Sequence, residues 1–412
     1  MPRRVWRWLR EFWDDVRESM DASLLGIARF FGLLYGPIDR SLRIDQALKK
    51  ALAYRLAPHV TWRHALGGIT YLLLMVLVVT GVLLAFYYRP SAQEAHASIR
   101  FIVSEAPFGW LWRDLHVWAA SLIVVVLLAH MARVFFTAAY KPPRETNWLL
   151  GFGLLVVVLA FGASGYLLPW DQWAYWTVTE ALAVIGRVPL LGWFTDLVKG
   201  DDIVSGATLS RYFAIHVILL PWLLFALVGL HFGLVRRHGV APPVEPPAAA
   251  KGGEPFYPNH LMRLLMAAAV VLAVAISAAA LWPRPVGPVA DPASPPAALV
   301  STWVAVDVWR ALAHFTGAIG IVLFGVLGLA MAALPLFDRS PERRLRHRPV
   351  AAGLGIAFFA VIILAWGMGR WLNVRTTKEP ASQPAAAATA SPVGGPAVLA
   401  PAAEPSIPQE GR

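Results

Sequence analysis

Seven stretches of the chain are continuous apolar runs long enough to cross roughly 30 Å of hydrocarbon. They lie near residues 66–88, 117–136, 149–168, 212–235, 262–282, 311–334 and 351–372, designated spans A to G. Inside a bilayer the backbone must satisfy its own hydrogen bonds, so runs of this length predict helices. The expected fold class is an all-α integral membrane protein with seven transmembrane helices. The C–D connection is about 40 residues long and carries two amphipathic pieces, Trp173 to Ile185 and Leu190 to Val198. Both suit the membrane surface.

Composition agrees with that reading. Hydrophobic residues make up 58% of the 412 and charged ones 15%, with 18 tryptophans and no cysteine. Soluble domains are about 45–50% apolar and about 25% charged. The absence of cysteine excludes a disulfide scaffold, a thiolate metal centre and a haem tethered through this chain.

The net charge of +11 could suggest nucleic acid, but its distribution points elsewhere. The N-terminus and the B–C, D–E and F–G connections carry 24 lysines and arginines, against 12 on the other connections and the C-terminal tail. By the positive-inside rule the first set faces the cytoplasm or its equivalent, the n side, and the second faces the p side. The expected location is therefore a bacterial-type cytoplasmic or other energy-transducing membrane, with the N-terminus on n and the tail on p. No nucleic-acid partner is expected. No signal peptide is visible, because Asp14, Asp15 and Arg17 interrupt the first apolar run.

Residues 1–33 interleave Trp6, Trp8, Phe12 and Trp13 with Arg3, Arg4, Arg7 and Arg10, as in a basic amphipathic helix on n-side headgroups or a docking helix for a partner subunit. Residues 34–240 then form a four-helix part, 241–260 a Pro/Ala/Gly-rich linker, and 261–375 a three-helix part. Residues 376–412, an Ala/Pro-rich tail, are expected to be disordered.

Four histidines carry the chemistry. The helix of span B carries His116, just ahead of the apolar run, and His130, fourteen apart; that of span D carries His216 and His231, fifteen apart. Fourteen residues are close to four helical turns, a rise of about 21 Å, so each pair lies on nearly one face. Both spans run from p to n, which puts His116 level with His216 and His130 level with His231. Facing imidazoles at one depth are what a low-spin haem iron takes as axial ligands. Two such pairs predict two non-covalent b haems. A lone histidine in a span reads equally well as a hydrogen bond to a neighbouring helix; four in matched pairs do not.

Neighbouring residues fit the same pattern. Gly67 and Gly81 on span A, and Gly151 and Gly165 on span C, are also fourteen apart and would let a porphyrin edge approach the backbone. Small-residue helix packing is the alternative. Arg113 and Arg133 sit one turn outward from His116 and His130, placed either for anionic propionates or for interfacial snorkelling.

These residues resemble a known family. LGGIT at 66–70, TGVLLAFYYRP at 80–90, WLWRDLH at 110–116, AHMAR at 129–133, YKPPRETNW at 140–148, GYLLPWDQWAYW at 165–176, IHVILLPW at 215–222, LHFGLVRRHG at 230–239 and EPFYP at 254–258 are similar to the cytochrome b subunit of Rieske/cytochrome b quinol oxidoreductases. The closer branch is cytochrome b6, here fused to a part resembling subunit IV, over about residues 55–372. The resemblance implies a di-haem four-helix bundle with His116 and His216 on the p-side haem and His130 and His231 on the n-side haem. It also implies quinol oxidation near the p side, with one electron to a Rieske iron–sulfur protein and a c-type cytochrome. The other electron would cross to quinone on n, coupled to proton translocation. A homodimer is implied as well. Tyr166, Pro169, Trp170 and Gln172 would line the p-side quinol pocket, or else form an interfacial aromatic belt. Arg236 and Arg237 would hold a propionate or quinone on n, or else serve as anchors.

Two departures stand out. The b6 branch carries a cysteine for an extra haem just before LGGIT; here that position is Ala65. The family motif Pro-Glu-Trp-Tyr, whose glutamate takes a quinol proton, falls on Ser301, Thr302, Trp303 and Val304 by one count and on Ala298, Leu299, Val300 and Ser301 by another. Neither count retains the glutamate, and their difference implies a shortened start to span F. Asp307 and Asp171 are the replacement bases at hand, Asp307 also reading as a solvated residue at a span end. Two functions follow: a quinol:cytochrome c-type oxidoreductase subunit, or a non-bifurcating di-haem conduit between quinone and a multihaem cytochrome or another redox partner.

Overall fold

The computed structural model describes residues 59–378 apart from 190, 244–252 and 297–298, together with scattered positions ahead of 59. Most of the 1–33 segment and of the 244–252 part of the linker, and the tail from 379 on, lie outside the described residues. Among the described residues seven helices are long and apolar enough to cross a membrane.

In chain order the helices are α1 (Leu66–Ala85), the short α2 (Ala95–Ser104), α3 (Gly109–Phe136), α4 (Glu145–Tyr166), α5 (Gln172–Gly186), α6 (Gly192–Lys199), α7 (Gly206–His238), α8 (Phe256–Leu281), α9 (Val304–Phe337) and α10 (Pro349–Lys378). Spans A to G are thus α1, α3, α4, α7, α8, α9 and α10. The amphipathic pieces of the C–D connection are α5 and α6. Each of α3, α7, α8 and α9 starts ahead of its apolar run. Helix α2, which presents Ala95, Ile99 and Ile102 inward, went unpredicted because it is short and mixed in polarity. Two residues on each side, Arg55–Leu56 and Glu254–Pro255, form a small antiparallel pair.

Helix α7 is not regular. Ile215–Leu219 forms a π-helical turn that contains His216. Pro221 lacks the N–H that would close a regular bond to Val217, which favours such a widened turn. A π turn inserts one extra residue. The fifteen-residue interval on α7 therefore matches the fourteen-residue interval on the regular α3.

The C-terminal helices pack on the outside of α1, α3 and α4. Gly355 of α10 lets the Phe135 ring lie directly on its backbone. The Trp148 indole of α4 donates to the Met331 carbonyl of α9 at 3.0 Å. The core between them includes Leu73, Ile123, Phe135, Trp148 and Met331.

A polar network joins the two parts at the His130 end. Lys141 pairs with Asp338 at 2.7 Å, Tyr140 donates to Asp338 at 2.6 Å, and Arg348 donates to the Tyr140 hydroxyl at 2.7 Å. Lys141 and Arg348 are buried there. Burial pushes the Asp338 carboxyl up, but the bonds from Lys141 and Tyr140 overcome this and hold it below the ordinary range. Burial and the bond to Asp338 push the Tyr140 phenol up, so it stays a donor.

Candidate functional site

The four histidines come together in two pairs. The His116 and His216 ring centroids are 6.4 Å apart. Two metal–imidazole bonds of about 2 Å each, plus half a ring on either side, account for a gap of that size. At the other level His130 lies against Gly67 of α1 and His231 against Gly151 of α4.

Each histidine rests on a glycine of the adjacent helix. A β-carbon at Gly81 would stand 3.2 Å from His116 Cε1, and one at Gly67 3.2 Å from His130 Cε1. At Gly165 it would stand 2.6 Å from His216 Cε1, and at Gly151 3.5 Å from His231 Cε1. The expected clearance is therefore directed, in this structure, at the imidazoles themselves: α1 cradles the rings of α3, and α4 those of α7.

Two hydroxyls that sequence reasoning missed complete one level. Thr80 Oγ1 lies 2.9 Å from His116 Nδ1 and donates its own proton to the Val76 carbonyl at 2.7 Å. Ser164 Oγ lies 3.1 Å from His216 Nδ1 and donates to the Ala160 carbonyl at 2.7 Å. The Phe161 carbonyl is also 3.0 Å from His216 Nδ1. Each hydroxyl has one proton and has given it to the backbone, so it accepts from Nδ1–H. The Nε2 lone pairs of His116 and His216 are then available for a metal. The signal lay in the pairs Thr80–Gly81 and Ser164–Gly165, a hydroxyl residue just before each glycine.

The two arginines differ. Arg113 is buried, pairs with Asp114 at 2.7 Å and donates to the Arg284 carbonyl at 2.5 Å. Arg133 makes no ion pair among the described residues and lies beside Arg63 and His64. Burial, then Arg133, pull the His64 imidazole down to about 4. A cationic cluster without a counter-anion suits a propionate. Arg236 and Arg237 are exposed in the last turn of α7, where cations interact favourably with the helix dipole. Ala65, at the position of the b6-branch cysteine, is buried.

At the His116 end the E–F connection is strapped onto the segment after α4. Gln172 N–H donates to the Pro288 carbonyl at 2.8 Å, and Ala290 N–H to the Trp170 carbonyl at 3.1 Å. The Gln172 side chain takes the Asp291 N–H at 2.6 Å and donates to the Ser294 carbonyl. Asp171 caps α5 through Ala174 N–H at 2.9 Å, and its second oxygen takes Gly287 N–H at 3.2 Å. Both residues are thus engaged in holding backbone, which leaves Asp171 poorly placed as a base. Trp170, at φ +49°, is buried against Tyr175. Pro169 is half-buried beside it.

Tyr166 reaches this strap. Its hydroxyl donates to the Val300 carbonyl at 3.4 Å and lies against Thr302. The Trp303 indole occupies the space a side chain on Gly162 of α4 would take, and it donates to the Ala120 carbonyl of α3 at 3.1 Å. Asp307 follows in the first turn of α9, 3% exposed, so it is not a solvated end residue. Its Oδ2 lies 3.8 Å from Arg370, and its buried Oδ1 has no hydrogen-bond partner. A buried carboxylate oxygen without a partner is uncommon in a folded protein and marks this position as unusual.

Comparison with known proteins places this bundle. The family profile described as cytochrome b/b6/petB matches residues 52–239, and that described as cytochrome b (C-terminal)/b6/petD matches 289–386. Cytochrome b6 of Mastigocladus laminosus is 38% identical over 212 residues, covering 51% of this chain and 99% of that protein. Cytochrome b6 of Synechococcus sp. (strain JA-3-3Ab) is 37% identical over the same shares. A chain of a solved structure, a hyperthermophilic respiratory Complex III, aligns with a TM-score of 0.67 and 26% identity over 83% of this chain and 98% of that one. Fold and site define a helical, haem-binding electron-transport protein of the membrane. The chain belongs to the cytochrome b/b6 family, whose members serve quinol oxidoreductase complexes.

Proposed function

We propose that this chain is the di-haem subunit of a quinol:cytochrome c-type oxidoreductase and carries electrons between a quinol site on the p side and a quinone site on the n side. The observation that carries the reading is the pair of histidine pairs, each imidazole seated on a glycine of the next helix. His116 and His216 hold one b haem near p, and His130 and His231 the other near n. Bound there, the two haems supply one-electron transfer across the membrane. Arg133 pairs with propionate charge at the n-side level, and Arg113 reaches the p-side one only if it exchanges its present partners.

Quinol oxidation releases protons, and the acceptor must lie within hydrogen-bond reach. Asp307 is that base: its buried Oδ1 has no hydrogen-bond partner, and its Oδ2 lies 3.8 Å from the Arg370 guanidinium. Tyr166, Trp170 and residues 301–303, just ahead of α9, form the wall against which the quinol head packs. A Rieske iron–sulfur protein takes one electron of each quinol and passes it to a c-type cytochrome, and protons are released on p. The complex is a homodimer, embedded in lipid.

One observation favours a second reading. Ser301, Thr302 and Trp303 stand beside Tyr166 without the family glutamate, as a non-bifurcating conduit would allow. Oxidant-induced reduction separates the two. Membranes holding the whole complex are given quinol, n-side reoxidation is blocked, and the high-potential chain is pulsed with oxidant. A transient rise in b-haem reduction is expected. No rise, with b haems that quinol still reduces slowly, selects the conduit.

A further inference from the structure

The two histidine levels are built alike in helix and glycine but differ in what faces the outer ring nitrogen. At the His116 level, hydroxyls of Thr80 and Ser164, both buried, sit against Nδ1 of the two histidines at 2.9 and 3.1 Å. Both hydroxyl protons are committed to carbonyls at 2.7 Å, so both oxygens act as acceptors. At the His130 level, the residues preceding the two glycines are Leu66 and Leu150, which carry no hydroxyl. There His231 Nδ1 is buried with no hydrogen bond, its contact with the Asn147 backbone falling short of hydrogen-bond geometry.

We propose that Thr80 and Ser164 are positioning residues that fix the Nδ1–H tautomer of His116 and His216 and so lower the potential of the haem these two histidines would hold. The proposal rests on the haem reading above. An Nδ1–H that donates a strong hydrogen bond makes the imidazole a better electron donor through Nε2. That favours the ferric state and lowers the reduction potential.

The test is a redox titration of the b-haem band in membranes containing the full complex, resolved into its two components. Thr80→Val keeps shape and removes the acceptor; Thr80→Ser keeps the acceptor. In Thr80→Val the component that His116→Ala removes is expected to shift toward the reduced form by about three- to tenfold at fixed poise, or about 30–60 mV upward for one electron. The other component should stay in place, and Thr80→Ser should return the wild-type value. Ser164→Ala, in which the Phe161 carbonyl still takes the His216 proton, should shift the same component less. If Thr80→Val sheds its haem, Ser164→Ala decides. Unmoved potentials in variants that retain both haems, or equal movement of both components, would overturn the proposal. A wild-type protein without two haems would overturn the haem reading itself, which is a different failure.

Discussion

His216 Cε1 lies 2.6 Å from the place where a β-carbon on Gly165 would stand, the tightest of the four glycine–histidine approaches. No side chain fits there unless the π turn of α7 moves. The same approach is 3.2 Å at Gly81 and Gly67 and 3.5 Å at Gly151, an ordinary contact.

That gradient predicts a graded response to alanine. Gly165→Ala should lose most of the haem held by His116 and His216, while Gly151→Ala should keep the haem held at the His130 level. Alanine favours helix over glycine by about 1 kcal/mol, so loss at 165 is steric and not a matter of helix stability. Haem content per chain, from the reduced b-band, checks it. Equal loss in both variants would contradict the cradle account.

Asp307→Asn removes the proposed base while keeping its size. Quinol oxidation should fall by about a hundredfold at pH 7, with both haem spectra unchanged. Asp171→Asn should instead lower the yield of folded protein, since both its oxygens hold backbone N–H groups, and should leave the pH profile of the remaining activity in place. Steady-state rates against pH distinguish the two. An unchanged rate in Asp307→Asn would remove Asp307 from the proton path.

Much of this was legible in the sequence, and the rest was not, for physical reasons. Hydropathy located all seven spans, but α3 starts at Gly109 and not at 117 because Trp112, Arg113 and Asp114 dilute the signal inside a helix that continues regardless. The matched histidines were readable from spacing alone. The reason that fifteen residues on α7 equal fourteen on α3 was not, since a π turn leaves only Pro221 as a trace. Thr80 and Ser164 looked like ordinary small residues until their protons were accounted for. The strap of residues 287–294 on Asp171 and Gln172 joins segments far apart in sequence, which no local pattern announces.

The Lys141–Asp338 pair gives a prediction about assembly. Asp338→Ala leaves Lys141 and Arg348 buried without their acid and should cost about 3 kcal/mol or more. The folded-state carboxyl titrates below its unfolded value. The stabilisation is therefore complete above the ordinary aspartate value of about 3.9 and is lost as pH falls through the depressed one. Thermal unfolding in detergent should show a constant gap between wild type and variant from pH 8 to about 5, narrowing below about 4. A gap that closes between pH 8 and 6 would contradict the network.

The most direct test of the whole account is haem content in His116→Ala and His130→Ala. Wild type should bind two b haems per chain. His130→Ala should lose one spectral component and keep the other, and His116→Ala should do the reverse, the two difference spectra summing to that of the wild type. Retention of both components in either variant, or loss of the same component in both, would contradict the pairing of His116 with His216 and of His130 with His231.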